Sequence, residues 1–219
     1  RDVLGSRGLG DVYKRQQFTL SAQFTPPYSL FSKKDYKSLY ESSSRADREE
    51  LYRWIEYYKI KFKSRVYTPL NNSEKYTLVL MGRADFGLLG SYNKYKQTPF
   101  ETFHVGGDGM TGSYTYATET IGLRGYDNGA LTPYSDGRAY TRFSMELHFP
   151  FLLQPSSTIY GLAFVECGNA WTSLENFNPF SLKRSAGVGV RIFLPMIGLM
   201  GIDWAYGLSL IHISEPTRP

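Results

Sequence analysis

The sequence predicts an all-β chain: the wall of a transmembrane antiparallel β-barrel, present only in part. Three observations predict it. Apolar and polar residues alternate with period two along seven segments, several of them longer than an ordinary globular strand. The connections between these segments alternate between short and long, as they do on the two rims of a membrane barrel. Tyr and Phe number 18 and 14 beside 21 Gly, a composition that favours strands and turns over helices. A soluble antiparallel sheet also alternates, but with shorter strands and no such difference between its rims.

The segments follow in order. Gln17–Thr25 places Phe18, Leu20, Ala22 and Phe24 on one face. In Glu56–Thr68, Tyr58, Ile60, Phe62 and Val66 alternate with Lys59, Lys61, Lys63 and Arg65. Lys75–Leu88 sets Tyr76, Leu78, Leu80, Ala84 and Phe86 against Thr77, Arg83 and Asp85. Arg138–Phe149 sets Phe143, Met145, Leu147 and Phe149 against Arg138, Arg142, Glu146 and His148. Thr158–Gly168, Lys183–Leu194 and Leu199–Leu208 complete the set, with Glu166, Arg191 and Asp203 on their polar faces. One face free of charge suits lipid, and the opposite face suits a wet lumen.

Leu70–Glu74, Leu152–Ser157 and Pro195–Gly198 read as short turns; Ser29–Ile55, Gly90–Gly137 and Thr172–Leu182 read as long loops. Tyr57, Tyr58, Tyr67, Tyr76, Trp171, Trp204 and Tyr206 lie near strand ends, where an interfacial girdle belongs. Within the first long loop, Ser44-Arg45-Ala46-Asp47 and the run to Ile55 read as a short, side-chain-capped surface helix. Residues 1–16 and 209–219 carry no period and read as adapter-like tails, leaving 17–208 as the barrel segment and an internal piece of a longer gene.

Composition narrows the function classes. The single Cys167 excludes a disulfide framework and a cysteine zinc site, and His104, His148 and His212 form no zinc-hydrolase spacing. No metal or other cofactor is expected. The net charge of +5 is mild and its Lys and Arg are dispersed, so no nucleic-acid partner is expected either. Gly107–Gly112 spells G-x-G-x-x-G, but no helical pattern follows it, which leaves a glycine-rich loop packed against something. Glu146 and His148 share a strand face and have the chemistry of an acid–base pair, although no serine nucleophile stands beside them. Arg124, in Ile121-Gly122-Leu123-Arg124-Gly125-Tyr126 of the longest loop, is the strongest single candidate. Flanking glycines let the backbone turn tightly, and a guanidinium can make two parallel bonds to a carboxylate, with Glu146 and Glu166 as lumen-facing partners.

These residues form a familiar series. The L-R-G-Y run, followed by D-N-G-A-L-T-P, resembles the (V/I)-R-G-(F/Y) motif of the BamA outer-membrane assembly family. Pro99–Gly107 (P-F-E-T-F-H-V-G-G) is similar to the start of the same loop. Glu166–Trp171 resembles the strand end that follows it, and Ser185–Arg191 through Asp203–Tyr206 resembles the family's final-strand region. The resemblance covers Gln17 to Leu208 and implies that the seven strands are the ninth to fifteenth of sixteen, near the C-terminal end of the barrel. No periplasmic POTRA repeat precedes them here, and the family's last strand is not represented.

It further implies a loop, 90–137, folded into the lumen and locked there by Leu123, Arg124, Gly125 and Tyr126. Glu146 and Glu166 would be the lumenal partners, and Gly106 and Gly107 the loop glycines. The implied function is non-enzymatic: folding and inserting β-barrel proteins in the outer membrane of a Gram-negative-type bacterium. The implied partners are unfolded outer-membrane β-barrel clients, assembly-machinery lipoproteins and membrane lipid. Two alternatives stay open: a TamA-like or two-partner-type polypeptide translocation barrel, and an outer-membrane hydrolase built on His148.

Overall fold

The computed structural model describes residues 16–208 except 33, 43, 72–76, 99, 110–118, 133–135, 155–156, 176 and 197. Strand β1 (Gln16–Phe24) leads into three short helices, α1 (Tyr28–Phe31), α2 (Tyr36–Glu41) and α3 (Arg45–Tyr52). Strands β2 (Tyr58–Pro69) and β3 (Val79–Gly90) follow, then two brief strands inside the long loop, β4 (Phe103–Val105) and β5 (Glu119–Ile121). The chain closes with β6 (Ala139–Gln154), β7 (Ser157–Trp171), β8 (Lys183–Leu194) and β9 (Gly198–Gly207). The seven long strands form one sheet in the order β1-β2-β3-β6-β7-β8-β9. Every neighbouring pair is antiparallel, which makes the sheet an up-and-down meander. Its first and last strands do not pair with each other among the described residues, so it is an open arc of barrel wall. No described helix is long and apolar enough to cross a membrane. The expected tails lie outside the described residues apart from Gln16, which is the first residue of β1.

Register keeps the two faces apart. Lys63 pairs with Asp85 and Phe62 with Phe86 across β2 and β3, so a slip of one residue would turn the lysines into lipid. Phe18, Leu20, Met145, Val165, Val188 and Ile202 are all exposed on the outer face, Ile202 to 82%. On the inner face Lys59 is 3% exposed, Asp85 1% and Glu166 0%. Charged residues inside and apolar ones outside reverse the soluble pattern, and this reversal identifies lipid as the outer solvent. A diagonal of rings crosses the outer face, Phe18 to Phe62 at 6.5 Å, Phe62 to Phe86 at 6.3 Å and Phe86 to Phe143 at 5.3 Å. A charge placed in this band has no partner. Met145→Arg should cost about 2–4 kcal/mol near the bilayer midplane, read as a lower urea midpoint of the heat-modifiable folded form.

The structure corrects several details. The expected girdle is narrower: Trp204 and Tyr206 are outward and exposed, but Tyr57 packs on the lumenal core. Tyr67 shares the inward parity of Lys63 and Arg65, Trp171 is buried beneath a loop, and Tyr76 lies outside the described residues. Strand β6 does not stop at Phe149 but runs to Gln154, with a register shift between Pro150 and Leu152. The bulge lets the ladder pass a residue that has no N–H to donate. Helix α3 forms where expected, yet the Ser44 side chain makes no cap bond; its carbonyl accepts from Arg48 N–H instead. Helices α1 and α2 carry too few residues for a readable period. A real cap does open α2, where the Asp35 carboxylate accepts from the backbone N–H of Lys37 at 3.1 Å.

Candidate functional site

The long loop between β3 and β6 builds a small core of its own on the inner face. Parallel pairing of β4 with β5 sets Phe103, Val105, Ile121, Leu123 and Leu131 against Leu89, Tyr140 and Ala170 of the wall. Phe103 meets Tyr140 edge-on at 4.7 Å. The backbone N–H of Val105 donates to Thr132 Oγ1 at 2.8 Å, which satisfies this buried donor within the loop itself. Gly106 and Gly107 have φ of +132° and +71° and run against Asp127 and Asn128, where a Cβ would overlap. Gly107 also bridges to Leu123. The glycine-rich stretch is thus a packing surface for the L-R-G-Y segment, while Met110, Thr111 and Gly112 lie outside the described residues.

That segment sets four consecutive residues to four different tasks. Leu123 is fully buried in the loop core. The Arg124 backbone N–H donates to Glu166 Oε2 at 2.9 Å, and its Nη2 donates to Glu166 Oε1 at 2.7 Å and to Glu146. Its Nη1 reaches Asp203 Oδ2 at 3.3 Å, and the guanidinium carbon sits 3.5 Å from the centroid of the Phe164 ring. Gly125 has φ +89° and presses on the backbone of Tyr206 and Gly207. Tyr126 donates its hydroxyl to the Arg184 carbonyl at 2.6 Å. The guanidinium therefore does not fork onto one carboxylate. It spreads over three, on β6, β7 and β9, and lies on an aromatic face.

The wall is built around this arginine. Glu166, fully buried, also accepts from Arg142 at 2.8 Å and from Ser144 Oγ at 3.1 Å, so its charge is balanced from two sides. Asp203 holds Arg191 through two bonds of 2.5 and 2.7 Å. Glu146 has His148 Nε2 at 3.0 Å from its other oxygen. Two glycines of β8 make the room: a Cβ on Gly187 would strike the Phe164 ring, and one on Gly189 would strike Asp203.

A second attachment lies on the opposite side of the loop. Glu119 of β5 sits 3.3, 2.9 and 3.5 Å from the Nζ atoms of Lys59, Lys61 and Lys63 on β2. Glu101 adds a bond from Lys59 at 2.9 Å. Burial alone would raise the Glu119 pKa; the three lysines outweigh burial and hold it below the usual 4.5. A carboxylate depressed in the folded state stabilises above its unfolded pKa, and that contribution disappears as pH falls through the folded value. Limited proteolysis of the loop should therefore be slow at neutral pH and accelerate below pH 4.5, with Glu119→Gln removing the part of that acid dependence that this carboxylate supplies.

The Omp85 superfamily domain model matches residues 48–210, from within α3 through β9. The chain belongs to the Omp85 superfamily. Its fold is also similar to the crystal structure of BamA from Haemophilus ducreyi lacking POTRA domains 1-3, with a TM-score of 0.50 at 20% identity. The match covers 71% of this chain and 32% of that one, so this Omp85 chain spans about a third of the matched protein's length.

Within this Omp85 wall the structure brings Arg124, Glu146 and Glu166 together and sets Gly106 and Gly107 against Asp127 and Asn128 of the same loop. The sequence reading put Asp203 on a polar face but did not name it as a partner of Arg124; its register opposite Gly189 brings it beside Arg191. It left out Glu119, whose signal was the row of three lysines with no stated counter-charge.

Proposed function

We propose that this chain supplies part of the barrel of an outer-membrane protein assembly factor, which folds and inserts β-barrel clients without enzymatic chemistry. The observation that carries the reading is the arginine of the L-R-G-Y run, seated on three lumenal carboxylates within a superfamily wall. A loop clamped in this way keeps the lumen filled and ties several wall strands into one rigid unit. Insertion is then a matter of lowering a barrier at the lipid-facing wall and its strand edges. The partners are unfolded outer-membrane barrel clients, assembly lipoproteins and the lipid itself, and the location is the outer membrane of a Gram-negative-type bacterium.

The test depletes the native assembly factor in cells that carry the complete gene and follows outer-membrane protein levels. Rescue by the parent and failure by Arg124→Ala support assembly. Normal outer-membrane protein levels in both strains, together with loss of one exported polypeptide, would assign the chain to the translocation branch. The hydrolase alternative gains little, because the His148–Glu146 pair is already committed to Arg124. His148→Ala should leave assembly nearly intact, whereas a His148-dependent esterase activity would overturn the proposal.

A further inference from the structure

The connection between β7 and β8 does not stand clear of the wall but folds down over its outer face. Asn169, of outward parity on β7, donates from Nδ2 to the Ser181 carbonyl at 2.8 Å, and Trp171 meets Phe177 edge-on at 4.8 Å. Beneath this flap Ala139 and Thr141 are fully buried, although their parity on β6 points them away from the lumen. Beside them, between flap and wall, lies a crevice of about 470 Å³ lined by Phe86 and Leu88 of β3 and by Leu174, Phe177 and Pro179 of the flap. Phe86 belongs to the ring diagonal of the outer face, so the crevice is continuous with the lipid-facing band.

We propose that this crevice is a binding site for one acyl chain of a membrane lipid on the long-loop side of the bilayer. An apolar cleft of this kind does not hold water, because water there finds no hydrogen-bond partners. Left empty, its lining atoms forfeit dispersion contacts on one side. The liquid that reaches its mouth is hydrocarbon, and a flexible chain has the shape to fill a groove between a strand pair and a loop. The site holds the chain longer than the open wall does, since it surrounds it on two sides rather than one. The inference rests on the outer-membrane placement of the sheet.

The experiment uses the complete protein in phosphatidylethanolamine vesicles doped with a phosphatidylethanolamine bearing a diazirine at the end of one acyl chain. After photolysis, peptides are mapped by mass spectrometry. Labelling of the 172–182 and 86–88 peptides should exceed that of the outward residues Val188 and Ile202 several-fold. Leu174→Trp, which fills the crevice from the flap, should abolish the excess while leaving Val188 and Ile202 labelled as before. Leu88→Trp, which fills it from the wall, should do the same. Equal labelling of crevice and open wall, or no response to either tryptophan, overturns the site while leaving the membrane reading in place. Absence of label from Val188 and Ile202 as well would overturn the membrane placement and the site with it.

Discussion

Arg124→Lys should lose most of what Arg124→Ala loses, although it keeps the charge. The guanidinium spans carboxylates on three strands and stacks on Phe164, and an ammonium on a flexible stem reproduces neither the reach nor the plane. Removing one partner of a buried ion pair costs about 3–5 kcal/mol. Here the alanine variant should fall at the lower end of that range, because Glu166 keeps Arg142 and Ser144 and Glu146 keeps His148. Proteolysis of the loop and outer-membrane protein levels in cells measure the two consequences. A lysine variant that behaves like the parent would show that charge alone holds the loop. The shared role of Glu166 also decides a charge swap: Arg124→Glu with Glu166→Arg should not rescue, since the new arginine would face Arg142.

Gly125→Val should be nearly as severe, by a mechanism that involves no charge. At φ +89° a side chain is strained by roughly 1–2 kcal/mol. The added Cβ would also sit 2.9 Å from the Tyr206 carbonyl carbon and 3.0 Å from the Gly207 nitrogen, both backbone atoms of β9 that cannot rotate away. Overpacking of that kind adds about 1–3 kcal/mol. The loop should leave the lumen wall while the strands persist. A cysteine at Leu123, buried in the parent, would then become reactive toward a water-soluble maleimide. An unreactive cysteine in the valine variant would mean that β9 yields to the added bulk.

The strands were legible because membrane walls obey a single strict rule, and a charge on the wrong face is costly at every position. Met145 and Glu146 are neighbours, yet their exposures follow parity alone. Glu146 and Glu166 were legible for the same reason: parity places both in the lumen and the long loop must meet something there. Asp203 needed one fact that parity does not contain. The arc bends β9 round until it faces the same arginine as β6, seventy-nine positions from Arg124 to Asp203 along the chain. Glu119 was hidden because β5 is three residues long, too short to show a period. Tyr57 and Tyr67 were misassigned because closeness to a strand end was weighed above parity. The flap over Thr141 had no sequence signature, since nothing in Thr172–Leu182 distinguishes a loop that projects from one that folds back.

Asp203 has two owners, Arg191 on the neighbouring strand and Arg124 in the loop. It sits on β9, the last described strand of the sheet. Thermodynamic linkage makes the relation between the two reciprocal. Whatever free energy the seated loop lends to the position of β9, an ordered β9 returns to the seating of the loop. A displacement of β9 changes the hold on Arg124, and release of Arg124 in turn loosens the position of β9. The place of the last described strand and the seating of the loop are, through one carboxylate, two readings of the same equilibrium.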